Sequence, residues 1–303
     1  MGNFDLRKSH RQTSLFDSFL VAVAAFGLLI AWLSFRAGGV WNILGFLALA
    51  GEGLLVWGSF IELHRVTVVR YREKLRPDAQ VWIKVAFLSD FHAGEFHTRR
   101  CYERMANEVM ALHPDLIFLG GDYVVDRFEP VVDLACLKDL QAPLGKFFLL
   151  GNHDYLDKPQ EIRVALTAHG YEDLTNRTIR IRCQNRELEV RGVDDNWFGR
   201  PEKFMRSSRG IPHLTVAHEP DILLDLAEGD TDLLLAGHTH SGQVRLPYIG
   251  SLVPVPAILG RAVDRGRKVV HGVTAIISNG LGECDGRLRL FSPPQIVIVE
   301  VGI

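Results

Sequence analysis

The sequence predicts an α/β domain built on two sheets and preceded by an apolar helical hairpin. Three observations lead there. Two apolar runs fill the first sixty residues, β-rich runs alternate with helix-like stretches from about residue 80 onward, and those β-rich runs repeatedly end in Asp, Asn or His.

The first run, SFLVAVAAFGLLIAWLSF from Ser18 to Phe35, carries no charge over 18 residues, the shortest length that reads as a bilayer-spanning helix. The second, Val40 to Ile61, is interrupted only by Glu52. The RAGG between them allows only a tight turn, so helices over about 18–35 and 40–61 pair as a hairpin, and residues 1–64 form a membrane unit. Trp32, Trp41 and Trp57 lie near the run ends, where indole rings favour the interface. A cleaved signal peptide would require a polar stretch with a small-residue site after the first run, but a second apolar run follows instead. A surface-lying amphipathic helix would need a charged face, which neither run has. Glu52 reads as a paired or protonated residue of the bundle, or as a functional intramembrane carboxylate.

Arg7, Lys8 and Arg11 precede the first run, and Arg65, Arg70, Arg72, Lys74 and Arg76 follow the second, whereas the turn holds only Arg36. The positive-inside rule then places both ends, and the rest of the chain, on the cytoplasmic side of the inner membrane as a multi-pass protein. The basic stretch 65–79 suits contact with anionic lipids, although RVTVVRYR within it alternates like an edge strand.

Residues 80–303 are long enough for one domain with its own core. Cys101, Cys136, Cys183 and Cys284 form no CxxC pair and point to neither a zinc ribbon nor a disulfide framework. Residues 1–61 carry a net +1, so of the chain's total of −2 the remainder holds −3. No basic groove is implied, and nucleic acid is disfavoured as a ligand.

The elements follow in order. VWIKVAFLSDFH is a strand ending at Ser89 that delivers Asp90 and His92, with a helix near Tyr102 to Leu112 behind it. PDLIFLGGD delivers Asp122; a helical segment near Val131 to Leu140 leads to GKFFLLGNHD, which delivers Asn152, His153 and Asp154. RTIRIRC and RELEVRGVDD flank QN as a hairpin; HLTVAHEPD delivers His218, and TDLLLAGHTH delivers His238 and His240. TAIISNGLG and QIVIVEVGI supply two more strands. Loops at the carboxyl ends of strands are where α/β sheets bind ligands. Singly, each residue has a structural explanation: Asp90 and Asp122 as helix caps, Asn152 in a turn, His218 as a core histidine. Together they make a metal-ligand constellation.

The order SDFH, GGD, GNHD, a lone His218 and GHTH resembles the calcineurin-like metallophosphoesterase superfamily over residues 83–243 and, through SNGLG and RLFSPPQIVIVEV, nearly to the C-terminus. AHEPD, GHTHSGQVRLP and the N-terminal membrane segment are similar to its membrane-associated bacterial branch, some of whose members cleave the pyrophosphate of UDP-2,3-diacylglucosamine. Ser241 departs from the glycine usual in that branch.

The resemblance implies a four-layer α/β/β/α sandwich and a dinuclear centre. Asp90, His92 and His240 would bind one divalent ion, Asn152, His218 and His238 the other, and Asp122 would bridge them. His153 would act on the substrate as acid or phosphate clamp, oriented by Asp154. Oxygen and imidazole ligands without thiolate suit manganese, and also iron, magnesium or zinc. The expected partners are membrane lipids and a phosphorylated or lipid-linked substrate. The activity implied is hydrolysis of a phosphoester or pyrophosphate; the alternatives are a general phosphodiesterase for soluble nucleotides and an inactive membrane scaffold. Arg127, Asp194, Asp195, Trp197 and Arg200 fall near the expected mouth, as leaving-group contacts or ordinary loop residues. PVPAILGRAVDRG reads equally as lid, membrane contact or core.

Overall fold

The computed structural model describes residues 6–93, 99–124, 135–156, 158–202, 210–284 and 286–303, with side chains from residue 18 onward, Arg99 excepted. Helix α1 spans Leu6–Ala37 and α2 spans Trp41–Phe60. They fold back on each other through Gly38 and Gly39, both in the left-handed region. The first helix starts well before the apolar run. Residues 6–17 are polar but contain no Gly or Pro, so nothing in them stops a helix. Phe35 and Phe46 meet edge to face across the pair. The stretches Ser18–Ala37 and Trp41–His64 are long and apolar enough to cross a membrane, and most of their large side chains are exposed.

Strand β1 (Thr67–Lys74) is the RVTVVRYR segment and forms the edge of the first sheet. It is followed by β2 (Trp82–Leu88), α3 (Arg99–Ala111), β3 (Leu116–Leu119), β4 (Lys146–Phe148), α4 (Asn152–Leu156), α5 (Pro159–Ala168) and β5 (Glu172–Asp173). Next come β6 (Thr178–Cys183), β7 (Arg186–Gly192), β8 (His213–Val216), β9 (Leu233–Ala236), β10 (Arg245–Leu246), β11 (Gly250–Ser251), β12 (Gly266–Val270), β13 (Val273–Ile277) and β14 (Gln295–Gly302). One six-stranded sheet has the order β1-β14-β2-β3-β4-β5, the other β12-β13-β9-β8-β7-β6, and β10 and β11 form a separate ribbon. The hairpin read around QN is the antiparallel β6–β7 pair.

The sheets pack face to face. Ile83, Val85, Phe87 and Phe118 of the first meet Leu188, Val190, Leu214 and Leu235 of the second, all buried. These strands are apolar on both faces because a further layer covers each sheet from outside. On the first sheet that layer is helical: Tyr102, Met105 and Val109 of α3 and Ile162 and Leu166 of α5 cover it.

The second sheet departs from the α/β/β/α expectation. Among the described residues its outer cover comes from the 3-10 turns Pro220–Leu224 and Gly260–Val263, through Ile222, Leu223 and Val263. Glycines at 260 and 266 bracket the second turn and keep it short. In the segment read as helical over 131–140, residues 131–134 lie outside the described residues and Ala135–Asp139 forms a 3-10 turn.

The hairpin is seated on the globular body. The Arg289 amide donates to the Gly58 carbonyl at 3.0 Å, and a Cβ at position 58 would lie 2.6 Å from the Arg289 carbonyl oxygen, so only glycine permits this approach. Just past α2, Glu62 accepts from the Trp57 indole at 2.9 Å and from the Ser292 amide at 2.6 Å.

Candidate metal centre

Eight side chains of ligand type converge where strands β2, β3, β4, β8 and β9 end. Three overlapping groups, Asp90–His92–His240, His92–Asp122–His153 and Asp122–His218–His238, each bring their ligand atoms within 4.8 Å of one another. Asp122 stands in the middle, with Oδ2 3.5 Å from His92 Nε2 and 3.2 Å from His218 Nε2. His92 Nε2 faces His240 Nε2 at 2.9 Å, and His238 Nδ1 faces His218 Nε2 at 3.2 Å. Asn152 Oδ1 comes within 3.1 Å of His218 Nε2, and Asp90 Oδ1 accepts the His238 amide at 2.8 Å.

The backbone is bent to achieve this. Asp90 (φ 54°), His92 (42°), Asp122 (56°), His238 (69°) and His240 (47°) all lie in the left-handed region, as does Ser241 (58°). Each such residue costs about 1–3 kcal/mol, and strain of this kind collects at functional sites. Gly151 makes room for the central carboxylate, since a Cβ there would lie 2.3 Å from Asp122 Oδ1.

The tautomers suit cation binding. His218 Nδ1 lies 2.7 Å from the Gly120 carbonyl oxygen and His240 Nδ1 3.2 Å from that of Gly282. A carbonyl only accepts, so each Nδ1 carries a proton and each Nε2 faces the cluster, as in metal-ligating histidines. Burial pushes His92 down to about 3, His238 down to about 4 and His240 well below its ordinary value, leaving neutral rings with lone pairs to offer. Burial opposes ionisation of Asp122, but the neighbouring His218 outweighs it and holds the carboxyl well below the usual range. Burial also opposes charge on His218, but Asp122 outweighs it and holds that ring well above its ordinary value, so His218 would give up a proton to a bound cation. The donor set then fits divalent metal: an ionised central carboxylate, three neutral imidazoles, a fourth that would lose its proton on binding, and an amide oxygen.

His153 and Asp154 sit beside these groups in different ways. The His153 ring stands edge-on to His92, its Nε2 3.7 Å from Cys284 Sγ. Asp154 does not orient that ring. Its Oδ2 accepts the amides of Asp122 and Gly151 at 2.8 and 2.9 Å, and its Oδ1 accepts that of Tyr123 at 2.8 Å. Asp154 therefore shapes the turn that presents Asp122.

Of the residues expected at the mouth, Trp197 stacks edge-on against His238 at 4.8 Å. Asp195 is buried and its Oδ1 collects the amides of Trp197, Phe198 and Gly199. Asp194 accepts the Tyr155 hydroxyl and the Arg200 amide, so both aspartates build the loop from within. Arg200 is exposed, and Arg127 lies outside the described residues. A pocket of about 450 Å³ opens on the cluster, walled on its far side by Val244, Val253, Pro254, Pro256 and Leu288.

The sequence reading missed the supports of His240. A fully buried Arg289–Glu283 ion pair at 2.9 Å stands behind it, and Arg289 also donates to the carbonyls of Gly282, Asn279 and Ser292. Ser292 Oγ donates to the His240 carbonyl at 3.1 Å. Cys284 at the pocket wall, held by paired backbone bonds to the Gln243 side chain at 2.7 and 2.8 Å, was missed as well. The one sequence signal was Glu283 inside the SNGLGE turn that follows a strand.

Two facing sheets whose strand ends gather imidazole and carboxylate around a polar cluster define a metal-dependent hydrolase. Residues 83–242 match the model of the family described as calcineurin-like phosphoesterase. The chain is 30% identical to phosphodiesterase YaeI of Escherichia coli over 241 residues, covering 77% of this chain and 87% of that one. It is 26% identical to the uncharacterized metallophosphoesterase YkuE of Bacillus subtilis over 273 residues, covering 86% and 94%, and 29% identical to an uncharacterized metallophosphoesterase of Aquifex aeolicus over 257 residues, covering 80% and 94%. The chain belongs to the calcineurin-like phosphoesterase family and is a metal-dependent phosphoesterase.

Proposed function

We propose that this chain is a membrane-anchored dinuclear phosphoesterase or pyrophosphatase, its catalytic body on the cytoplasmic face of the inner membrane, acting on a phosphate carried at the bilayer surface. A lipid-linked nucleotide such as UDP-2,3-diacylglucosamine fits. The carrying observation is the seat of the hairpin: α2 docks on the same 283–292 segment that braces His240, so the site is held beside two helices long enough to span a membrane. Confinement to that surface raises the effective concentration of a substrate that lives there. Asp90, His92 and His240 would hold one ion, Asn152, His218 and His238 the other, with Asp122 shared. The bound ions, manganese in the first instance, would supply Lewis acidity and activate water as nucleophile.

The protein's own groups do the rest. Asp154 fixes the Asp122 turn through three amides, and His240 and His218 keep Nε2 inward through their carbonyl partners. His153 faces the pocket, placed to donate a proton to the leaving oxygen or to clamp a phosphate oxygen. The apolar far wall accommodates the non-polar part of an amphiphile.

The test is hydrolysis of UDP-2,3-diacylglucosamine by detergent-purified protein with manganese, beside a soluble chromogenic phosphodiester and an Asp122→Ala control. Asp122-dependent cleavage of the lipid nucleotide supports the reading. Cleavage of the chromogenic ester alone, independent of detergent or lipid, favours instead a phosphodiesterase for soluble nucleotides, the reading to which the name of the E. coli relative lends weight.

A further inference from the structure

We propose that the segment 246–258 is a second membrane contact, seated in the headgroup region beside the hairpin and forming the lip of the active-site pocket. This rests on the reading that the hairpin spans the bilayer. The stretch LPYIGSLVPVPAILG, residues 246–260, contains no charged side chain. The β10–β11 ribbon lifts Pro247, Tyr248 and Ile249 to its tip, where Tyr248 is fully exposed (108%); Ile258 is 82% exposed, and Leu252 and Val253 are exposed as well. Five large apolar side chains exposed within thirteen residues of uncharged chain mark a candidate interaction surface, whereas Val164 and Val269 are exposed singly.

The patch is held in shape. The Leu252 amide donates to the Val244 carbonyl at 2.8 Å, and the amides of Ile258 and Leu259 donate to the buried Asp221 carboxylate at 2.7 and 3.1 Å. With these backbone donors satisfied internally, side chains can enter an apolar phase without carrying unpaired amides along.

Its position points to lipid as the occupant. Arg245 donates to the Leu290 carbonyl and Leu290 to that of Gln243, each at 2.9 Å, while neighbouring Arg289 donates to Gly58 of α2. One extended segment therefore separates the ribbon from the last turn of α2, the level at which the Trp57 indole sits. One cation borders the patch, the Arg261 guanidinium reaching the Ser251 carbonyl at 2.5 Å, and two more stand at the end of α2, Arg287 over the Phe60 ring and the exposed Arg65. An apolar tip with a tyrosine, with Arg261 at its edge and further arginines at the neighbouring end of α2, suits the boundary between acyl chains and anionic headgroups. Val253, Pro254 and Pro256 of the same segment line the pocket, so the pocket mouth would open onto the membrane and an amphiphile could enter without crossing water.

The experiment uses the full chain in nanodiscs of phosphatidylethanolamine and phosphatidylglycerol, with p-benzoylphenylalanine placed singly at position 248, at Leu44 of α2 or at Val164 of α5. After irradiation, lipid adducts at 248 and at 44 but not at 164 are expected by mass spectrometry. Adducts at 44 alone overturn this contact while leaving the anchor intact. Adducts at neither overturn the anchor and this inference with it, and crosslinks from 248 to a second copy of the chain make the patch a dimer interface instead. A Tyr248→Asp/Ile258→Asp variant is expected to raise KM for a lipid-borne substrate at least about tenfold, as loss of apolar insertion implies, without changing hydrolysis of a soluble chromogenic diester. Equal effects on both substrates would overturn the proposal.

Discussion

One flank of the candidate metal centre, with Asp90, His92 and His240, leans on a shell assembled from afar: Glu283, Arg289 and Ser292, and Glu62 at the foot of the hairpin. The other, with His218, His238 and Asn152, is backed by a main-chain carbonyl, that of Gly120 behind His218, and covered by the half-exposed Trp197 ring. The same ligand chemistry is thus held in two ways. The ligand-type side chains of both flanks are buried; behind the first stand further buried and bonded layers, while the outer cover of the second is one half-exposed ring.

The most severe test removes what the flanks share. Asp122→Ala is expected to lower hydrolysis at least about a thousandfold on any substrate, and elemental analysis should find metal lost from both flanks. Arg289→Lys sharpens the contrast. It keeps a cation opposite Glu283 but loses the guanidinium fork, and manganese titration by calorimetry should show affinity weakened about 10- to 100-fold at one of two sites. Trp197→Ala should leave metal binding intact and shift KM by about threefold, the worth of one aromatic edge contact. An equal loss of metal in the tryptophan variant would erase the distinction between the flanks. The smallest effect belongs to Ser241→Gly on the first flank. Ser241 holds a left-handed φ and a buried hydroxyl without a hydrogen-bond partner, so glycine should stabilise the fold by about 1 kcal/mol. In thermal denaturation that would read as a rise of about 2–4 °C.

This contrast also explains what could be read in the chain. The ligand-type residues were legible because each follows an apolar strand at its carboxyl end, where period and composition change together. The β6–β7 hairpin and the β1 edge were legible for the same reason. Asp154 was misread because its partners are main-chain amides, and two of them, at Asp122 and Tyr123, lie about thirty residues away where no side-chain pattern signals them. Arg289 and Glu283 lie in irregular chain, where spacing carries no period. The outer cover of the second sheet is made of 3-10 turns too short to leave a helical stripe.

The pairing of β1 with β14 sets an order of events during biosynthesis. Thr67 bonds to Pro294, 227 positions further along the chain. At ribosomal speeds of about 5–20 residues per second, roughly ten to fifty seconds separate the two. Throughout that interval the hairpin is already made, while the edge strand beside it has no neighbour to zip against. The basic residues Arg70, Arg72 and Lys74 are then the strand's protection: in a newborn chain they discourage pairing with a stranger's edge until its own last strand arrives.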